Sequence, residues 1–163
     1  MNKQAVIIRT LGGVAVLLLL LSLPALAGDD EKKEDPYDGQ WAAELGAVRD
    51  LNDGEPVLVK ALFRDFDGNL MDVEKVYVRW EWVNETTGRW IVLSGIDTYM
   101  KCLVEYIPGD CCFRDPCYGS EYDLEGHVIK KPAKKDLADY SDLAVQEGEQ
   151  EDCHLVLLRE PEE

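Results

Sequence analysis

A chain of 163 residues with 17 basic against 33 acidic residues, a net charge of −16 and 46% hydrophobic content is far from several protein classes. Nucleic-acid phosphates demand a basic face, which this balance does not offer, and the apolar content is too high for disorder throughout. The length suits one domain behind a processed leader.

Residues 1–27 predict an export signal. Lys3 and Arg9 supply a positive start, residues 11–23 an apolar run broken at Pro24, and Ala25-Leu26-Ala27 a small-x-small cleavage pattern before Gly28. An uncleaved anchor is the competing reading, because the uncharged stretch 10–27 reaches the short edge of a bilayer span. Pro24 and the Ala-x-Ala pattern favour cleavage, so no membrane span is expected afterwards. The mature chain then keeps all 33 acids against 15 of the 17 bases, a self-repelling, soluble surface suited to a secreted or periplasmic protein. Residues 28–40 predict an acidic flexible linker, and residues 41–163 a single domain.

Over 40–51 Trp41, Leu45 and Val48 fall at helical spacing and suggest a short helix, although a strand over 46–50 fits nearly as well. After Pro56 the signal is clear. Val57, Val59, Ala61 and Phe63 alternate with Leu58, Lys60, Leu62 and Arg64, and Asp67-Gly68-Asn69 supplies a turn. A second strand over 73–83 puts Val76, Val78, Trp80 and Trp82 on one face and Lys75, Tyr77, Arg79 and Glu81 on the other. The loop 84–89 then leads into a third strand, 90–93, with Val83 expected opposite Trp90 and Trp80 opposite Leu93. A fourth strand is expected over 98–107, with Met100, Cys102, Val104 and Tyr106 on one face. Residues 110–126 read as loop, 127–129 as a short edge strand, 136–144 as a short helix begun by Asp136, and 154–158 as a buried last strand. These elements predict an all-β fold, a small antiparallel β-sandwich with one or two short helices and one core shared by two sheets.

Cys102, Cys111, Cys112, Cys117 and Cys153 all follow the leader, and an oxidising compartment makes disulfides the default. A bond between the neighbours Cys111 and Cys112 would be strained. The expected pattern is a short link from this pair to Cys117 and a long one to Cys153 or Cys102, with Cys102 the expected leftover thiol on an apolar strand face. The competing use of these residues, with His127 and His154, is a soft-metal centre, but no C-x-x-C pair supports it.

Three further places invite a ligand. Asp65, Asp67 and Asn69 offer oxygens at alternate positions like the start of a calcium loop, and Asp72 and Glu74 extend the set. Leu70 and Val76, however, stand where that loop needs Gly and Glu, which favours a plain Asp-Gly turn. Trp90 falls with Tyr77 on the face opposite Trp80 and Trp82, which makes it the aromatic expected to be exposed for contact. Asn84-Glu85-Thr86 matches the glycosylation acceptor pattern. Ser94, Ser120 and Ser141 lie in no nucleophile elbow, so no enzymatic activity and no cofactor are expected.

The runs Val57-x-Val59-x-Ala61 and Val76-x-Val78-x-Trp80, followed by Asp97-Thr98-Tyr99-Met100-Lys101-Cys102, resemble paired strands and the tyrosine-and-cysteine strand of immunoglobulin-like domains. The resemblance implies a β-sandwich with Trp80 in its core. Together these features predict an exported, non-enzymatic binding module whose partner is a protein or glycan of the envelope or extracellular space. A metal-binding envelope protein that takes a divalent cation is the alternative.

Overall fold

The computed structural model describes residues 35–51, 54–148 and 153–161; the leader and the first part of the linker lie outside them. The described chain is all-β and carries a disulfide. Strand β1 (Trp41–Ala47) stands where helical spacing suggested a helix, and a single helical turn, α1 (Val48–Leu51), takes most of the stretch read as the alternative strand. β2 (Val57–Arg64) and β3 (Leu70–Trp82) form the hairpin that their alternation predicts, with Val57 opposite Val78 and Leu62 opposite Val73. β4 (Gly88–Ser94), β9 (Ala144–Glu147) and β10 (His154–Arg159) complete a six-stranded sheet in the order β4-β3-β2-β1-β10-β9. A second, four-stranded sheet is built from β5 (Glu105–Ile107), β6 (Cys112–Arg114), β7 (Glu121–Tyr122) and β8 (Val128–Lys130). Among the described residues no helix is long and apolar enough to cross a membrane.

The sheets do not enclose a single core. Ala43, Phe63, Val76, Val78, Trp90, Val92, Leu155 and Leu157 pack on one face of the large sheet. Tyr77, Ile91 and Leu93 leave the other face of β3 and β4 to meet Val104, Phe113, Tyr122 and Leu137 beneath the small sheet. Period-two alternation along β3 and β4 therefore feeds two cores, and the side expected to face water is covered.

Several elements differ from expectation, and the stretch 110–126, read as loop, contributes β6 and β7 to the small sheet. In the β3–β4 hairpin Trp80 stands opposite Trp90 and Trp82 opposite Gly88, a shift of three residues from the expected pairing. Backbone bonds from Val83 and Asn84 to the Thr87 carbonyl close a shorter loop, and the Asn84 side chain accepts from the Thr86 and Thr87 N–H groups. Gly88 suits this register because a Cβ there would lie 2.3 Å from the Trp80 ring. An odd shift turns every side chain of the returning strand over, and Trp90 joins Trp80 in the core, their rings 4.9 Å apart.

The expected strand 98–107 survives only as β5, because residues 97–102 fold into a turn around Asp97. The expected helix 136–144 is reduced to a 3₁₀ turn, Ser141–Leu143, and the Asp136 carboxylate instead accepts the N–H of Val128. At the end of the linker, Asp35 caps a turn through the N–H groups of Tyr37 and Gly39, and the Tyr37 hydroxyl donates to Glu147.

Candidate functional site

At one end of the small sheet, two loops are joined by a disulfide between Cys102 and Cys117, whose Cα atoms are 6.5 Å apart. The loops, 97–102 and 115–120, repeat one backbone design. Each begins with an aspartate whose N–H donates to the carbonyl five residues on, Asp97 to Cys102 and Asp115 to Ser120. In each, the residue four positions on returns its N–H to the aspartate carbonyl, Lys101 to Asp97 and Gly119 to Asp115. Those two residues carry the positive φ that the turn requires, 63° and 78°.

Both carboxylates point inward. Asp97 Oδ2 accepts the N–H groups of Tyr99 and Met100, each at 2.8 Å, and Asp115 accepts those of Cys117 at 2.8 Å and Tyr118 at 3.0 Å. Local side-chain-to-backbone bonding of this kind is what makes aspartate favourable at the head of a turn. The two residues are 0% and 1% exposed, so these bonds answer the cost of burying the charge.

Asp97 is the more embedded in its network: its other oxygen accepts the Tyr122 hydroxyl at 2.7 Å. Burial alone would raise its pKa, but the hydrogen bonds from Tyr122, the Met100 and Tyr99 N–H groups and Ser120 outweigh that and hold it below the ordinary carboxylate value. Burial in turn pushes the Tyr122 phenol up; bonds from Thr98 oppose this, and the contact with Asp97 adds to it. Outside the turns, the exposed rings of Tyr99 and Tyr118 meet edge to face with centroids 5.6 Å apart. Two inward anions and two outward phenols thus surround one disulfide.

The disulfide corrects the expected cysteine pattern. Cys102 is bonded, while Cys111, Cys112 and Cys153 are free thiols. Cys102 and Cys117 meet because equivalent turns from separate parts of the chain lie side by side, a relation that sequence spacing does not carry. Cys112 is buried, which raises its thiol pKa; Cys111 is exposed.

The other sites foreseen from sequence are differently placed. Trp90 is 8% exposed and Tyr77 6%, so neither forms a contact surface. The Tyr77 hydroxyl donates to the Val104 carbonyl and accepts the Tyr106 N–H, which ties the small sheet to the large one. Asp65 closes its hairpin turn through the backbone and side-chain nitrogens of Asn69. Asp72 and Glu74 bind Arg159, whose guanidinium also lies over the Phe63 ring. Asp65, Asp67, Asn69, Asp72 and Glu74 therefore do not form one ligand set among the described residues.

No family model matches the chain. Its similarity to curated proteins is local and points one way. Over 46 residues it is 37% identical to the chloroplastic cytochrome b6-f complex iron-sulfur subunits of Chlamydomonas reinhardtii and Volvox carteri, a span of 28% of this chain and 22% of each relative. The corresponding subunit of Prochlorococcus marinus is 41% identical over 46 residues, 28% of this chain and 26% of that one. The chain thus spans only about a quarter of the length of the curated relatives it matches. Among solved structures, the plasma membrane Rieske protein PetC3 from Synechocystis PCC 6803 aligns with a TM-score of 0.45 and 24% identity, covering 71% of this chain and 97% of that one.

These findings overturn the immunoglobulin-like reading and the secreted or periplasmic module with a protein or glycan partner. The chain is similar over 46 residues to iron–sulfur subunits of cytochrome b6-f complexes.

A Rieske [2Fe–2S] centre is held by two cysteine thiolates and two histidines. The disulfide-linked loops of this chain do not offer that set. Their cysteines are bonded to each other, and their remaining inward and outward groups are Asp97, Asp115, Tyr99 and Tyr118. The chain has only two histidines. His127 caps the turn before β8 with Asp123, and His154 lies in the other sheet against Glu44. No group of neighbouring donors among the described residues combines two thiols with two imidazoles. The residues present do not fit the cluster. Sequence reasoning passed over Asp97 and Asp115, although both stand at the head of short loops rich in turn residues, a signal that turn chemistry could have read.

Proposed function

We propose that this chain is a Rieske-type domain that works within a membrane electron-transfer assembly of the cytochrome b6-f kind. The observation that carries the reading is the 37–41% local identity to iron–sulfur subunits of such complexes. The paired loops joined by Cys102–Cys117 support it, because they give the small sheet a rigid end suited to meeting a partner subunit. Only the stack of the small sheet on β3 and β4, with Tyr77, Leu93, Phe113 and Tyr122 between them, supports a sandwich-like description. In this reading the apolar stretch 10–27 stays in place as a membrane tether, and the domain is a component of an oxidoreductase assembly rather than a catalyst with its own substrate. No electron-transfer step is assigned to a cluster that the loop residues do not fit.

The test uses the full chain, tagged at its carboxyl end and expressed in a host that contains a cytochrome b6-f complex. Membranes are washed with carbonate, solubilised in mild detergent and run on native gels stained for haem. The chain should remain with the carbonate-washed membranes and migrate in a haem-staining band. Recovery in the soluble fraction, or migration apart from every haem band, overturns the proposal.

A further inference from the structure

We infer that the cluster end of this Rieske-type domain has been rebuilt as a metal-free tip, with Asp97 and Asp115 in the places of two thiolate ligands and Tyr99 and Tyr118 in the places of two imidazoles. The inference rests on the Rieske-type reading above and adds to it what the tip holds in place of iron.

The groups correspond in number. A Rieske centre draws two anionic sulfur ligands and two ring nitrogens from the protein. Here the two loops supply one buried anion and one exposed ring apiece, on equivalent turns on either side of the disulfide. Each anion sits in a cradle of two backbone N–H groups. That environment suits a thiolate, since hydrogen bonds to the sulfurs are among the features that tune such clusters. A carboxylate fills the same cradle, because it too accepts through an anion.

The chemistry then separates the two cases. Iron–sulfur clusters select soft thiolates, whereas carboxylates suit hard cations. The carboxylates are also already engaged: Asp97 uses both oxygens, on Tyr99, Met100 and Tyr122, and Asp115 uses both, on Cys117 and Tyr118. A metal would have to compete with these bonds. Neutral imidazole is the common nitrogen ligand for metals, and a phenol offers no ring nitrogen in its place. The Tyr99 and Tyr118 rings are turned to one another, in an edge-to-face contact that itself closes the tip.

The same bonds account for a tip that holds its shape without iron. In a cluster-bearing site the metal centre draws the loops together. In this chain the two loops have the Cys102–Cys117 bond, four backbone donors answered by carboxylates, and the Tyr122 hydroxyl bridging from β7 to Asp97.

The experiment incubates the purified full chain in detergent anaerobically with ferric iron and sulfide, without reducing the disulfide. It reads bound iron, acid-labile sulfide and the electron paramagnetic resonance signal after dithionite. The wild-type chain should retain neither iron nor sulfide above background. The fourfold variant D97C/Y99H/D115C/Y118H should retain about two of each per chain, the content of one [2Fe–2S] centre, and show a reduced-cluster signal. A stoichiometric cluster in the wild type overturns the inference. So does a fourfold variant that has native circular dichroism and takes up no cluster, because the four positions would then not be ligand positions.

Should the fourfold variant fail to fold, the wild-type Tm with and without a strong chelator decides. An unchanged Tm supports the inference, and a fall overturns it. These readouts do not depend on assembly. An iron-free wild type and a loaded variant, in a chain absent from every haem band, would overturn only the assembly reading.

Discussion

Replacing Asp97 with alanine removes the acceptor for the Tyr99 and Met100 N–H groups and for the Tyr122 hydroxyl. The Tyr122 hydroxyl is the most sensitive of the three because its residue is fully buried, though the Thr98 hydroxyl beside it retains one contact. Hydrogen bonds to a charged acceptor contribute about 1.5–3 kcal/mol each, and leaving a buried donor unmet adds to the loss. The two backbone donors belong to a surface turn and recover part of their cost from water. The expected net destabilisation is therefore about 3–5 kcal/mol, dominated by Tyr122 and one N–H. The pH dependence carries the same signature. Asp97 titrates below its unfolded value in the native chain, so its contribution is fully present above about pH 4 and disappears as the pH falls through the depressed native value. Urea unfolding followed by tryptophan fluorescence, at neutral pH and at stepwise lower pH, measures both. D97A should lose stability at neutral pH and show a flatter acid limb than wild type. A difference below about 0.5 kcal/mol at neutral pH, the range of ordinary surface substitutions, would refute the assignment of Asp97 as the anchor of its loop.

Two other perturbations probe the parts that most separate this fold from its sequence expectation. Cys102→Ser opens a loop with a sequence separation of 15 residues, and the chain-entropy estimate for such a loop is about 3 kcal/mol; denaturant midpoints of the two chains in non-reducing buffer test this, and coincident midpoints would show the bond to be dispensable. Trp90→Ala empties a core position against Trp80 and should cost about 3–5 kcal/mol, with a clear fall in Tm; an unchanged melting profile would mean that the Trp90 ring lies outside the core.

Patterns between neighbours along the chain specify the local half of this protein. Alternation from Val57 to Phe63 and from Val76 to Trp82, with Asp-Gly turn chemistry between them, is enough to specify β2, β3 and their hairpin, because the side-chain period and the turn involve neighbours along the chain. The apolar run at His154–Leu158 likewise declares a buried strand. Features that depend on distant partners arose only from packing. An odd shift in the β3–β4 pairing moved Trp90 from the expected surface into a core, and no pattern within residues 90–93 contains that choice. The small sheet covers the face of Tyr77 and Leu93, so alternation that reads as one wet side and one dry side serves two cores. The site is the clearest case. Asp97 and Asp115 are ordinary turn residues when read separately, and Cys102 and Cys117 are two of five cysteines with no distinguishing spacing. Only when the chain folds two equivalent turns side by side do these four become one disulfide flanked by two buried, hydrogen-bonded anions. Such convergence is set by packing between strands far apart in sequence, where local propensity carries no information.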